Sequence, residues 1–251
     1  MVFLKNRFEI AKIRESGKIV AEVLTRIGEA IQPGVSTLEL DEIAEKLINS
    51  YPQTRAAFKG YGGFPNALCT SINDEVVHGI PRKDRLLEAG DIVGIDVGVC
   101  HHSYFADAAA TFFVGEPKER QKKLINTTKR ALAAGIEQAV AHNRVGDIGA
   151  AVQKVVEADK FSVVRDLVGH GIGKNLHEDP QVPNYGPPRQ GCLLKEGLVL
   201  AIEPMVNEGT AEVKTLADNW TFVTADGKLS AHFEHTVAIG PDGPEILTGF
   251  N

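Results

Sequence analysis

Asp96 and Glu203 occupy the same place in two segments that resemble each other. LLEAGDIVGIDVGV at 86–99 lies over LLKEGLVLAIEPMV at 193–206 with the two acids aligned. Both acids fall in apolar, β-branched runs that predict buried strands. A carboxylate in such a run is costly unless it is paired or bound to a metal. Two of them at matched positions of a duplicated unit point to a metal site between two halves. Asp107 follows eleven residues after Asp96, on the next predicted strand, and Gly98 with His101-His102-Ser103 supplies turn chemistry between the two strands. Its counterpart is Glu234, since Phe105-Ala106-Asp107 matches His232-Phe233-Glu234. His170 stands in Gly169-His170-Gly171-Ile172-Gly173, where glycines allow close backbone approach. Four carboxylates and one imidazole suit a pair of divalent transition ions better than a structural zinc. Bridging carboxylates hold such ions ~3.5–4 Å apart in two-metal hydrolases.

Taken singly, each acid would ordinarily be exposed or paired with Lys or Arg, and His170 would be a loop residue. The duplication gives the joint pattern its weight. His78 and His177 each neighbour a candidate site strand. His101, His102, His142, His232 and His235 read as structural or surface residues. Cys69 reads either as a pocket-lining thiol or as an inert strand cysteine.

Elements that could position these residues recur in the order helix, helix, strands. Asn6 and Glu9 form a capping-box pattern ahead of a helix over about 7–31, which Pro33-Gly34 ends. Ser36 and Glu39 open a second helix to about 50. A Gly-rich, aromatic loop at 51–66 precedes strands at 67–73, 76–80, 92–99 and about 105–114. After the turn at Gly115-Glu116-Pro117, a helix runs over about 118–142 and another, capped by Asp147, to about 159. Residues 163–173 read as strand and loop, and 180–191 as a Pro-rich surface crossing. Strands follow at 197–206, about 211–224 and 231–239. Helices first and strands afterwards, twice over, imply an α+β fold with mainly antiparallel sheet. No disordered linker separates the halves, so residues 1–251 read as one pseudo-symmetric domain with halves at about 1–116 and 117–251.

Composition narrows the function class. With 43% hydrophobic residues the 251-residue chain can bury a sizeable core. A net charge of −6 argues against nucleic-acid binding. The basic run Lys118–Lys123 is interleaved with Glu and Gln, like a solvated helix face. Three widely spaced cysteines form neither a disulfide framework nor a zinc knuckle and fit a reducing compartment. No stretch approaches a membrane span, and the first residues lack a signal-peptide h-region. The expected setting is cytoplasmic, with no membrane partner.

Several motifs together carry a specific resemblance. Gly169-His170-Gly171-Ile172-Gly173 through His177 and Pro180, the Asp96–Asp107 segment ending Ala-Asp107-Ala-Ala-Ala-Thr-Phe, Ala-Ile-Glu203-Pro204, Phe-Glu234-His-Thr236, and Cys69–Asn73 through His78-Gly79-Ile80-Pro81 occur in order over nearly the whole chain. In them the chain resembles type I methionine aminopeptidases. The resemblance implies the pita-bread fold and two divalent metal ions, of Co, Mn, Fe, Zn or Ni. It implies that Asp96 chelates one ion, that Asp107 and Glu234 bridge both, and that His170 and Glu203 complete the other. It implies attack by a metal-activated water, with Glu203 as proton shuttle, His78 on the scissile amide and His177 on the tetrahedral intermediate. The methionine pocket would map to Phe58, Tyr61, Phe64, Cys69, His78, Leu176, His177 and Trp220. A monovalent cation would fall near Asn73, Glu75 and Ser230. The substrate would be the N-terminus of a nascent chain or peptide with a small second residue, the protein a monomer, and any ribosome contact transient. Met1-Val2 makes the chain a candidate substrate of its own activity. It departs from the family's common pattern at Ser103, Val168, Phe58 and Phe64, which bear on loop geometry and pocket size.

Two other readings compete. An aminopeptidase P or prolidase would share the ligands but usually carries a large N-terminal domain, and only about 90 residues precede Asp96. A non-catalytic protein-binding relative would be expected to lose ligands, and all five are present. A type II enzyme would need a helical insertion for which the chain is too short.

Overall fold

The capping boxes open the helices where the sequence places them. In this computed structural model, which describes residues 2–249, Asn6 Oδ1 accepts from the backbone N–H groups of Phe8 and Glu9. Glu9 Oε2 in return accepts from the Asn6 N–H, and helix α1 runs Arg7–Ala30. Ser36 and Glu39 repeat the arrangement ahead of α2, Thr37–Ser50. In the second half α3 spans Glu119–Glu137 and α4 spans Val145–Ala158. Helix α3 is shorter than its periodicity predicts, because the chain turns between Gln138 and Asn143, with His142 at a φ of 77°. Asp147 lies inside α4 rather than ahead of it; its carboxylate reaches back to the Arg144 N–H at 2.8 Å. Met1, on which the self-processing expectation rests, lies outside the described residues.

The first half is organised around one long hairpin. Strands Ile92–His101 and Tyr104–Phe113 pair without a slip from Ile92↔Phe113 to His101↔Tyr104. The two-residue turn between them, His102-Ser103, has φ of 48° and 66°, the positive pair that a type I′ turn demands. Leu68–Ile72 and Thr54–Ala56 flank Ile92–His101 on its other edge. The second half places Val199–Ile202 between His235–Gly240 and Gly169–Gly171. Every pair of named strands is antiparallel. Helices α1 and α2 pack on the first half's strands and α3 and α4 on the second's, giving each half its own apolar core. Phe112 packs against both cores and ties them together.

Several predicted strands are broken, each for a local reason. The run 197–206 divides into Val199–Ile202 and Met205–Asn207, because Pro204 has no N–H to give the ladder. The run opposite divides into Ser230–His232 and His235–Gly240. The run 211–224 is a hairpin, Val213–Thr215 with Phe222–Thr224. Asp218 forms its loop by accepting from the N–H groups of Trp220 and Thr221, both at 2.9 Å. The strand at 76–80 is only Glu75–Val77, since His78 turns to a φ of 59°. The Pro-rich crossing begins as a strand, Glu178–Val182, paired with Gly169–Gly171. Thr54–Ala56 and Gly243–Ile246 are further strands that the periodicity does not reveal.

Ser103 holds a left-handed backbone that glycine adopts without steric cost. Ser103→Gly should therefore keep the fold and leave stability unchanged or raised by up to about 1 kcal/mol. Thermal denaturation checks this, and a loss of stability would show that the Ser103 side chain itself holds the turn.

Candidate active site

Asp96 and Asp107 share one face of the long hairpin. Asp96 pairs with Ala109, Asp107 with Gly98, and residues two apart on a strand point the same way. Gly98 leaves that face open. A side chain there would lie 2.6 Å from the Phe58 ring, so Phe58 packs where other residues would put a Cβ. Glu234 is brought alongside by the break in its own strand. Its N–H donates to the Ala109 carbonyl at 2.9 Å instead of to a neighbour in its own sheet. Thr236 completes the junction: its Oγ1 accepts from the Asp107 N–H at 3.1 Å and donates to the Asp107 carbonyl at 2.8 Å. Glu203 sits at the opposite break, beside Pro204, with its carbonyl held by Asn184 Nδ2 at 3.0 Å.

His170 reaches the carboxylates because its strand lies unusually close to its neighbours. A Cβ on Gly169 would stand 2.3 Å from the Ala201 carbonyl oxygen, and one on Gly171 2.3 Å from that of Asp179. His170 Nε2 is 3.5 Å from Asp107 Oδ2 and 3.6 Å from Glu203 Oε1. Its Nδ1 lies 2.9 Å from the Gly171 carbonyl, which can only accept. The ring proton is therefore on Nδ1, and Nε2 turns a lone pair toward two carboxylates. Acceptors facing acceptors repel unless a cation lies among them. Ligand atoms of Asp107, His170 and Glu234 all lie within 4.8 Å of one another. Asp96 Oδ1 is buried with no hydrogen-bond partner among the described residues.

The electrostatics carry the same message. Desolvation, and then the charge of Asp107, pushes Asp96 well above the usual carboxylate range. Desolvation raises Asp107 to about 6. Glu203 and Glu234 are driven well up by desolvation first and by the neighbouring acids second. Burial lowers His170 to about 4, so it is a neutral ligand at neutral pH. Four acids that cannot all ionise together, facing an imidazole lone pair, form a donor set that fits divalent cations.

Above these residues opens a cavity of about 250 Å³. It is lined by Phe58, Tyr61, Phe64, Cys69, His78, Leu176, His177 and Trp220, together with all five proposed ligands. Phe64 meets Trp220 edge to face at 5.2 Å, and Tyr61 Oη lies 2.8 Å from His177 Nδ1. The His170 and His177 rings are 4.2 Å apart. Burial raises the Cys69 thiol well above its usual value, which makes it an inert wall. Burial lowers His78 to about 4, leaving a neutral imidazole. Val168 lies outside this cavity, in an adjoining groove with Phe3 and Met205. Around Asn73, the carboxamide is committed to Asp91 and to the Ile92 N–H, and Glu75 to the Ile72 N–H and Arg85. Ser230 joins Asn73 through a backbone hydrogen bond of 2.8 Å. His232, which reads in the sequence as structural or surface, is buried beside Glu203, and Thr111 and Asn184 support the pair. No periodic or motif signal distinguishes these from ordinary strand and loop residues.

The chain matches metallopeptidase family M24 over residues 11–241. It is 53% identical over 248 residues to a methionine aminopeptidase of Clostridium acetobutylicum, covering 99% of each chain. It superposes on the crystal structure of a methionine aminopeptidase from Thermotoga maritima with a TM-score of 0.96, at 44% identity and 99% coverage of both chains. A prolidase from Pyrococcus furiosus shares the fold at a TM-score of 0.79 and 23% identity, with 66% of that chain covered. The chain is a metallopeptidase of family M24. Within that family it belongs with the methionine aminopeptidases.

Carboxylates with raised pKa values must lose protons when a metal binds. The apparent affinity for Mn²⁺ should therefore fall at least about tenfold between pH 7.5 and 5.5 as the site, including Asp107 at about 6, takes up protons. Calorimetry in buffers of different ionisation enthalpy should show proton release on binding. Affinity independent of pH would contradict the raised values.

Gly98→Ala should drive the Phe58 ring into the cavity. KM for a methionyl peptide should rise about tenfold or more, with about 1–3 kcal/mol of stability lost to overpacking. Steady-state kinetics and denaturation check this; an unchanged KM would place Phe58 outside the substrate's path.

Proposed function

We propose that this chain removes the N-terminal methionine from peptides and nascent proteins with a small second residue. The observation that carries the reading is an apolar, aromatic cavity, large enough for one thioether side chain, opening directly on five metal-type ligands. Asp96, Asp107, His170, Glu203 and Glu234 would hold two divalent ions drawn from Co, Mn, Fe, Zn or Ni, with selection set by availability. When bound, such ions lower the pKa of water and polarise a carbonyl.

The chain's own residues supply the rest. Glu203 takes a proton from the attacking water on a carboxylate oxygen and returns it to the leaving amine. His78 hydrogen-bonds the scissile amide. Tyr61 Oη lies at hydrogen-bond distance from His177 Nδ1, and in the tautomer that accepts there the His177 Nε2–H would serve a developing oxyanion. Phe58, Phe64, Leu176 and Trp220 exclude water around the methionine side chain. A monovalent cation near Asn73, Glu75 and Ser230 belongs to the same proposal. So do a single catalytic domain with halves meeting near 116–117, and a monomer. Three free cysteines support a cytoplasmic setting, and no helix among the described residues is long and apolar enough to cross a membrane. A net charge of −6 lends no electrostatic support to a ribosome contact, so any such contact would be transient.

Metal-loaded protein should release methionine from Met-Ala-Ser and not from its N-acetylated form. Glu203→Ala should lower kcat by about 10²–10⁴-fold. Undiminished release by that variant would remove Glu203 from the chemistry. Release of any residue that precedes proline, whatever its identity, would point to a prolidase-like activity instead.

A further inference from the structure

Glu203 is faced by a second imidazole besides His170. His232 is 3% exposed, and its Nε2 stands 3.8 Å from Glu203 Oε2. That nitrogen has no hydrogen-bond partner among the described residues. Its backbone is clamped: Thr111 Oγ1 accepts from the His232 N–H and donates to the His232 carbonyl, both at 2.9 Å. The residue opposite in the ladder is Met205, whose thioether is a poor acceptor.

The two imidazoles differ in what they present. His170 has its proton committed to Gly171 and faces Glu203 Oε1 with a lone pair. His232 has no carbonyl or hydroxyl at Nε2, and the acceptor before it is Glu203 Oε2. A shift of less than about 1 Å makes that approach a hydrogen bond. Glu203 itself is pinned at its carbonyl by Asn184 and followed by Pro204, so its freedom lies in the side-chain torsions.

We propose that His232 is a positioning residue for Glu203, donating from Nε2–H to Oε2 and leaving Oε1 for the ion and the reacting proton. This rests on the role given to Glu203 above. His232 acts through the carboxylate and does not itself exchange a proton with substrate. The arrangement matches a general pattern in which residues behind a ligand set its orientation and change metal affinity or activity by about 10–100-fold when removed.

The first test reads the proton directly, on wild-type protein loaded with diamagnetic Zn²⁺ and labelled with ¹⁵N at histidine. Long-range ¹H–¹⁵N spectra, with His232 assigned by its absence in His232→Gln, should show the Nε2–H tautomer. Glu203→Gln should shift that resonance. An Nδ1–H tautomer, or a resonance indifferent to Glu203→Gln, overturns the proposal. The second test compares variants. His232→Gln keeps a neutral donor and should hold kcat within about threefold. His232→Leu removes it and should lower kcat and Zn²⁺ affinity about 10–100-fold, with KM for Met-Ala-Ser changed less than about threefold. Equal losses in both variants, or a loss confined to KM, would contradict a positioning role. If wild-type protein released no methionine, the proposed activity would fail, while the tautomer measurement would still decide whether His232 holds Glu203.

Discussion

Mutual repulsion among four desolvated carboxylates is the constraint around which this chain is built. Asp96, Asp107, Glu203 and Glu234 meet where the two halves join, and a His170 lone pair is turned toward them. Among the described residues, no arginine or lysine lines that cavity to neutralise them. A folded chain tolerates such a cluster only by holding protons on it or by binding cations. The rest of the architecture is arranged to hold the acids in place despite this cost. Threonine hydroxyls clamp the backbone of Asp107 and His232, an asparagine clamps Glu203, and glycines let the His170 strand approach.

The broken strands follow from the same constraint. A continuous ladder would send Glu203 and Glu234 along the regular alternation of their strands. Pro204 interrupts one strand, and Glu234 leaves its own sheet to donate to Ala109 on the opposite half. The duplication thus acts at two scales. It gives two helix-covered cores of similar make-up, and it delivers a pair of acids from each half to one seam. The aromatic lining is a separate layer. The aromatic residues of the first half's loop and Trp220 of the second build the cavity above the seam without contributing acid groups.

Much of this was legible in the sequence. The aligned acids at 96 and 203 pointed to a seam between halves, and the helix starts followed from Asn6/Glu9 and Ser36/Glu39. The thirteen side chains that the family resemblance implies for metal ligation, catalysis and the methionine pocket line one cavity. What periodicity could not show were the interruptions, because a β-branched run looks the same whether or not it is broken at its acid. The α4 start inferred from Asp147 falls three residues late (147 − 144), because an Asp caps a helix equally from ahead of it or from its first turn. His232 reads as structural or surface in the sequence, since only the fold shows that it is buried with its Nε2 before Glu203. The departures at Phe58 and Ser103 find physical room, one over Gly98 and one in a positive-φ turn.

Anomalous diffraction from crystals soaked with Mn²⁺ would show whether cations occupy the seam between the four acids and His170. Metal density is expected at the seam, within about 2.0–2.3 Å of oxygen atoms of the four acids and of His170 Nε2. Density absent from the seam at saturating Mn²⁺, or an ion bound elsewhere with His170 unengaged, would contradict it.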